Sequence, residues 1–417
     1  KGKSMTQQER RGWLIVASLF IVLLLVFGSG YNTVAVFLPA LLKAFPHWSR
    51  AEVALLPSVL ALSAGISVLP IGWLLDGIEA RIVMVFGAVA AGLAFLIASR
   101  ANSLLPMMGA YLLVGVGISA ATVLPGSLVL ANWFNARRGL AMGIAISGTT
   151  VGGMVMTLAA SSLILTRGWR AAYVALGTPM IVVVVPLLLL TIRSRPPGEV
   201  KLSIAESAQQ LEGFETLEAL RTRSFWMLTI ANLCFGFAAA GAVVHMVAYL
   251  EGIGYKASSA ALAMSVFFGC AAAGKVAMGY VADRISARRA LAADFAATAL
   301  VFVMVFGAAR LFVLAVFIVL VGVVAAGPLV LLPLLVAESL GRRRYGALGA
   351  LTGLAGTIGA TVGPLIAGRI FDLTGSYADA FQLFILLDII GAIAAFACQP
   401  YGSRSSRVSI APIPASA

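Results

Sequence analysis

Long stretches of apolar residues alternate with short polar segments along the whole chain. Many of these stretches reach the roughly 20 residues that a helix needs to cross a bilayer. The alternation of about ten residues that marks a membrane β-barrel is absent. The pattern therefore predicts an all-α membrane protein with twelve transmembrane helices, numbered here as spans one to twelve: 13–42, 50–75, 81–99, 103–133, 139–166, 170–192, 224–250, 257–282, 287–308, 310–338, 345–371 and 378–399.

The composition agrees with this pattern. The 417 residues are 61% hydrophobic and 11% charged, and the mean hydropathy is +1.02, a balance that excludes an ordinary soluble fold. A net charge of +13 would suggest nucleic acid as the partner of a soluble protein. Here the basic residues flank apolar helices, so the lipid bilayer is the expected partner and nucleic acid is not. The three cysteines lack metal-ligand spacing, so we predict neither a metal nor another cofactor.

Lysine and arginine are unevenly divided between the two sets of connecting segments. Twenty of the 29 fall on the side that carries both termini, and eight fall on the other side. Connections rich in these residues stay in the cytoplasm. We therefore predict a multi-pass protein of the inner (plasma) membrane with both termini in the cytoplasm, and we expect a monomer.

A repeat divides the chain into two parts. Gly72 and Asp76 follow span two, and Gly279 and Asp283 follow span eight, with each pair 207 positions apart. Such a repeat predicts two pseudo-symmetric six-helix bundles related by an axis along the membrane normal. We assign the N-terminal bundle to residues 1–192, a cytoplasmic linker to 193–223, the C-terminal bundle to 224–400 and a cytoplasmic tail to 401–417.

These features resemble the Major Facilitator Superfamily, in which the Gly-x-x-x-Asp loop ends in basic residues. The second copy keeps the pattern well, with Arg284 after the aspartate, whereas the first copy keeps only Arg81. Within the superfamily, the segment 132–148 resembles the signature that opens span five of monocarboxylate and oxalate/formate carriers. Segments 220–226 and 363–377 resemble the same group. The resemblance covers nearly the whole chain and implies a transporter with the major facilitator fold.

One lysine, Lys275, lies within the apolar span eight, eight residues before Asp283. At about 1.5 Å per residue it sits roughly 12 Å inside the helix end, near the middle of the bilayer. A lysine at this depth costs about 2.5–3.5 kcal/mol on insertion scales, which favours a functional role. In the carriers that the chain resembles, a basic residue at this place, usually arginine, holds the substrate carboxylate. The alternative is a structural ion pair with Asp388 of span twelve.

Other polar residues inside the spans are weaker candidates. In the resembled carriers, a tyrosine after a glycine-rich turn of span one often lines the site, and Tyr31 fits that place. A histidine can also act as a protonation switch, although a lone one is often just hydrogen-bonded between helices. The substrate-binding candidates beside Lys275 are Tyr31, Asn32, His245 and Thr352, the proton-coupling candidates are His245 and Asp388, and the hydroxyls of Ser147, Thr149 and Thr150 rank lower.

Charged residues at the predicted cytoplasmic helix ends suggest a gate. An acid of one repeat can pair with an arginine of a neighbouring helix, and such pairs close one side of a transporter in one state and break in the other. Simple topology signalling is the alternative. The gate candidates are Asp76, Arg81, Arg137, Arg138, Asp283, Arg284 and Arg344.

The sequence as a whole predicts a secondary active transporter of small organic anions, with a small carboxylate as substrate. One basic residue and no second charge inside span eleven favour a monocarboxylate. Transport is expected by rocking-bundle alternating access, through proton symport or anion exchange. A proton-coupled drug or metabolite exporter of the same fold is the alternative, although spans one to six carry no acidic residue in their interiors. No nucleophile–base pair or metal cluster is visible, so an enzyme is not predicted.

Overall fold

The computed structural model describes residues 7–134, 136–194 and 212–402. Within these residues, eleven helical segments are long and apolar enough to cross a membrane. The longest, Arg138–Thr191, has 54 residues. It breaks at Gly168, whose φ of 83° and ψ of 163° are not helical, so it forms spans five and six. The twelve predicted spans and the all-α fold class are thereby confirmed.

The helices run a few residues past several predicted ends. Spans one, four, six, nine and ten are also interrupted. Proline, which lacks the N–H that continues a helix, lies at or near the breaks in spans four, six and ten. The bounds, in chain order, are Gln7–Val22, Leu23–Asn32 (a π-helix) and Val34–Ala44 for span one; Arg50–Gly77; Ala80–Arg100; Leu104–Ala121 and Val123–Trp133 for span four; Arg138–Pro179, Met180–Val184 and Val185–Thr191 for spans five and six; Arg223–Gly252; Ala257–Ile285; Ala287–Val303 with Met304–Gly307; Leu311–Val324 and Pro328–Ser339 for span ten; Tyr345–Thr374; and Ala378–Ala397.

The spans pack as two bundles. In the first, spans two and three pack on span four, and the π-helix of span one packs on span five. In the second, span seven packs on spans eleven and twelve, and span nine packs on span twelve. Between the bundles, span five lies along span eight and span two lies along span eleven. These two contacts place residues of spans five and eight at the boundary between the halves.

The described end of the linker is attached to the turn between spans ten and eleven. Gly213 forms an isolated antiparallel bridge with Gly341. The Glu215 carboxylate accepts hydrogen bonds from Arg344 Nε at 2.8 Å and pairs with Arg343 at 2.9 Å. The hydrogen bond from Arg344 lowers the pKa of Glu215, which keeps this carboxyl ionised. We call this end of the bundle, with Asp76 and Asp283, the linker face.

Parts of the predicted linker and tail lie outside the described residues: 195–211 of the linker and 403–417 of the tail. The domain boundaries at 192, 223 and 400 therefore stay predictions.

Glycine allows spans five and eight to touch at the linker face. A Cβ added at Gly279 would lie 2.1 Å from the carbonyl oxygen of Gly139, far inside van der Waals contact. On the same helix, a Cβ at Gly269 would meet nothing within 4 Å. The two glycines therefore form a matched pair, one at a helix crossing and one in open space.

We expect Gly279→Ala to lower the midpoint of thermal unfolding in detergent, because overpacking costs about 1–3 kcal/mol. Gly269→Ala should leave the midpoint unchanged or raise it, since alanine favours the helix. Equal midpoints for the two variants would contradict the close approach of these spans.

Candidate functional site

Lys275 is buried at the boundary between the two halves, with 6% of its surface exposed. Its Nζ donates hydrogen bonds to two hydroxyl oxygens of span five, those of Thr149 at 2.7 Å and of Thr150. The backbone is equally close, because a Cβ at Gly143 would lie 2.5 Å from the Lys275 carbonyl oxygen. The lysine of one half is therefore held by the helix of the other half.

Within the described part of the chain, no carboxylate forms a salt bridge with Lys275. The salt bridges found there join Arg81 to Glu79, and Arg343 and Arg344 to Glu215. The ion pair with Asp388 that the sequence left open is thus not formed in this conformation. An ammonium group has three donors, and the two threonines occupy two of them. A buried cation with only neutral partners is costly, and a bound anion would offset that cost.

Asn32 of span one joins this site through Thr149. Its Nδ2 donates to the Thr149 backbone carbonyl oxygen at 3.2 Å, and the Asn32 backbone carbonyl oxygen accepts from the Thr157 hydroxyl at 3.4 Å. Tyr31 beside it stacks on Phe27, with ring centroids 5.3 Å apart, and remains 45% exposed. The π-helix that ends at Asn32 thus brings the amide to the partner of Lys275 and leaves the tyrosine ring accessible.

The other two substrate-binding candidates are engaged elsewhere. His245 lies between spans seven and eleven, with Nδ1 3.1 Å from the Tyr377 hydroxyl and Nε2 2.9 Å from the Pro364 carbonyl oxygen. Because a carbonyl can only accept, Nε2 carries a proton. Thr352 is 1% exposed and donates at 2.9 Å to Leu348 of its own helix. Neither side chain is a polar partner of Lys275, and their role in binding stays a prediction.

Thr149 and Thr150, which the sequence analysis ranked below the other candidates, are the side chains that accept hydrogen bonds from Lys275. Hydroxyls in membrane helices often bind a neighbouring helix or their own backbone, so two threonines alone carry little information. The available signal was their position directly after the segment 132–148 that resembles a carrier signature. Only the packing of spans five and eight shows that both hydroxyls reach one ammonium group.

At the linker face, two aspartates bind helix N-termini of the opposite half. Asp283 accepts from the backbone N–H groups of Gly139 at 2.7 Å and Leu140 at 2.9 Å. Asp76 accepts from those of Gly346 at 2.9 Å and Ala347 at 3.2 Å. The first N–H groups of a helix lack intrahelical partners, and its dipole favours a negative charge there. The two contacts are 207 positions apart on both sides, so the sequence repeat forms a reciprocal pair of contacts.

This geometry corrects one sequence expectation. Arginine side chains were expected as the partners of the gate acids, but Asp76 and Asp283 bind backbone N–H groups instead. The reason is the glycine four residues before each aspartate, Gly72 and Gly279, which lets the helices approach until the helix N-terminus is within reach of the carboxylate. Arg138 and Arg344 interact with Asp283 and Asp76 electrostatically.

The remaining gate candidates lie around these contacts with other partners. Arg344 binds Glu215 of the linker, as described above. The other four are placed as follows: Arg81 pairs with Glu79 at 3.0 Å, Arg137 is an exposed residue with φ of 61°, Arg138 donates to the Phe134 carbonyl oxygen at 2.8 Å, and Arg284 donates to the Tyr280 hydroxyl at 2.6 Å.

Two helical bundles that meet around a buried charge are the architecture of a membrane transporter. A family model described as Major Facilitator Superfamily matches residues 19–267 and 250–411, most of the chain. The chain belongs to this superfamily and is a multi-pass membrane protein.

Known proteins are similar at low identity. Human monocarboxylate transporter 11 is 27% identical over 403 residues, which cover 89% of this chain and 79% of that protein. The uncharacterized MFS-type transporter YcxA of Bacillus subtilis is 24% identical over 196 residues, or 47% of this chain and only 48% of that protein. Among solved structures, the E. coli fucose:proton symporter superposes with a TM-score of 0.73 over 94% of this chain and 98% of its own, at 14% identity. That superposition supports the fold alone.

We expect Asp76→Asn to loosen the linker face. Hydrogen bonds to a charged group contribute about 1.5–3 kcal/mol, and 1.4 kcal/mol is a tenfold change in population. Ala347 is 2% exposed, so a cysteine placed there reports opening of this face. In an Ala347→Cys protein without the native cysteines, Asp76→Asn should speed maleimide labelling by roughly tenfold.

The matched control is Asp379→Asn, because Asp379 is exposed at the start of span twelve. This variant should label at the parent rate. An unchanged rate in the Asp76 variant would show that the carboxylate does not hold the face closed.

Proposed function

We propose that the protein is a secondary transporter of small organic anions, with monocarboxylates as the substrate class. The observation that carries this proposal is Lys275, a buried cation at the boundary of the halves whose polar partners are the hydroxyls of Thr149 and Thr150. A carboxylate bound to the third donor would neutralise the charge. The similarity to human monocarboxylate transporter 11 supports the same class.

The chemistry of the cation favours a single carboxylate group. Lysine presents a compact charge rather than the planar fork with which arginine binds a carboxylate through two parallel hydrogen bonds. Asn32 is hydrogen-bonded to the backbone carbonyl of Thr149, which itself binds Lys275 through its hydroxyl. We propose that Asn32 contacts a hydroxyl or carbonyl group of the bound anion. Tyr31, with its accessible ring, is proposed to line the path to the site.

The contacts suggest how binding is linked to movement. The hydrogen bonds of Lys275 and those of Asp283 join the same two spans, five and eight. An anion on the third donor neutralises the ammonium and so weakens its hydrogen bonds to Thr149 and Thr150, which join these two spans. We propose that substrate binding thereby favours separation of the halves at the linker face, with the anion carried in the neutralised site.

The distribution of lysine and arginine indicates how the protein is oriented in the membrane. We propose that the linker face is cytoplasmic, because twenty of the 29 lysines and arginines lie on the side of the linker and termini. The conformation described here is then closed toward the cytoplasm. Moving one anion alone against an interior of −100 mV costs about 2.3 kcal/mol, so we propose proton symport or anion exchange to offset the charge.

The test is uptake of labelled short-chain monocarboxylates, such as pyruvate and lactate, into proteoliposomes. Lys275→Met keeps the length of the side chain and removes the charge, and it should reduce uptake by about 30-fold or more, as expected when one partner of a buried charge contact is lost. The matched control is Lys256→Met, which changes an exposed lysine just before the same helix and should transport normally.

Both variants should elute as folded protein and unfold at similar temperatures. Uptake that persists in Lys275→Met would exclude Lys275 as the anion site. Uptake of a phosphate monoester or a cationic drug in place of the carboxylates would overturn the substrate class.

A further inference from the structure

Two aspartates are buried in the second bundle without the partners that charged carboxylates need. Asp294 of span nine is 1% exposed and Asp388 of span twelve is 3% exposed. Within the described residues, both carboxylate oxygens of Asp294 and Oδ2 of Asp388 have no hydrogen-bond partner. Native proteins satisfy most buried polar side-chain atoms, so three such oxygens in one region require an explanation.

The two carboxyl groups belong to one site. Spans nine and twelve pack along each other, and the two aspartates interact electrostatically. The thiol of Cys234 on span seven also interacts with Asp388. No salt bridge within the described chain includes either aspartate.

The break in span ten forms the wall of this site. A Cβ at Gly327 would lie 2.0 Å from Asp294 Oδ1 and 3.0 Å from Met278 Cγ of span eight. Gly327 caps the helix Pro328–Ser339, whose last turn carries Glu338. Glu338 in turn accepts from the Ala287 N–H at the start of span nine, at 3.3 Å. Gly327 therefore lies between Asp294 and span eight, which carries Lys275, and it begins a helix that ends at the linker face.

A proton is the ligand that this environment fits best. Two ionised carboxylates would repel each other and would both lack solvation, which costs several kcal/mol for each ion. A proton on one of them removes the charge and supplies an O–H donor for the unpaired oxygens. A metal ion needs more oxygen ligands, and the described residues contain no group of three or more side chains of the kinds that could hold one.

We propose that Asp294 and Asp388 form a proton-binding site in the second bundle, distinct from the Lys275 site. The pair holds at least one proton at neutral pH in the conformation described here. A role of the pair as the source of a symported proton rests on the proposed function. The protonation of the pair does not. Its position against Gly327 provides a route by which gain or loss of the proton can displace spans eight and ten.

Dicyclohexylcarbodiimide tests the protonation directly, because it adds to protonated carboxyl groups in apolar surroundings and leaves ionised surface carboxylates largely unmodified. The full chain in detergent, with no substrate present, is treated over a range of pH and the adduct is located by mass spectrometry. We expect modification of Asp294 or Asp388 at pH 7 and none at the exposed Asp379. Absence of modification at both buried aspartates would overturn the proposal.

The isosteric variants Asp294→Asn and Asp388→Asn test whether the two groups act as a pair. Removing one negative neighbour makes ionisation of the other easier, so its modification should fall off at a lower pH than in the parent protein. Asp379→Asn should leave the profile unchanged. Profiles that do not move in either variant would show two independent buried acids and would overturn the shared site.

The outcome is separable from the proposed function because the labelling needs no transport. Lys275→Met should keep the labelling profile while it loses carboxylate uptake. If Asp294→Asn and Asp388→Asn fold normally and abolish proton uptake measured with a pH-sensitive dye upon addition of pyruvate, the pair is the coupling site. Unaltered proton-linked uptake in both variants would confine the pair to a structural role and contradict its place in coupling.

Discussion

A single uncompensated cation at the contact between two helical bundles determines much of this structure. Lys275 lies buried within an apolar span, and the threonines that bind it belong to the other half of the molecule. Its burial therefore depends on contact of spans five and eight. In the proposed function, an anion that binds the ammonium changes the free energy of this contact and so links the chemistry of one side chain to the arrangement of the two halves.

The contacts at the linker face and those at Lys275 differ in symmetry. At the linker face, Asp76 and Asp283 make the same contact with helix N-termini in opposite directions, and both contacts follow the repeat of 207 positions. Such a pair can close the face evenly, whichever half moves. The residue 207 positions before Lys275 is Val68, so the buried cation has no counterpart in the first half. The contacts at the linker face thus follow the repeat, whereas the buried cation does not. This asymmetry is consistent with the proposal that one bundle binds the charged group of a small substrate.

Much of the fold could be predicted from the sequence, because apolar runs report burial in lipid and the loop repeat reports the two halves. The depth of Lys275 followed from counting residues to Asp283. Contacts across the boundary could not be predicted, since they depend on the rotation of each helix: Thr150 and Lys275 are 125 positions apart. The same limit applies to Asp294, whose place beside Asp388 depends on the packing of spans nine and twelve. Arginine partners were predicted for Asp76 because the sequence does not show how close this carboxylate lies to the N-terminus of span eleven.

The most direct test of the central claim is the binding of a carboxylate and of its uncharged amide to the purified protein, measured by isothermal titration with the parent and with Lys275→Gln. If the ammonium of Lys275 holds the substrate charge, the parent binds pyruvate at least about tenfold more tightly than its amide, as charge-assisted hydrogen bonds require. In the variant this preference disappears. A preference for the carboxylate that survives in Lys275→Gln would contradict the account.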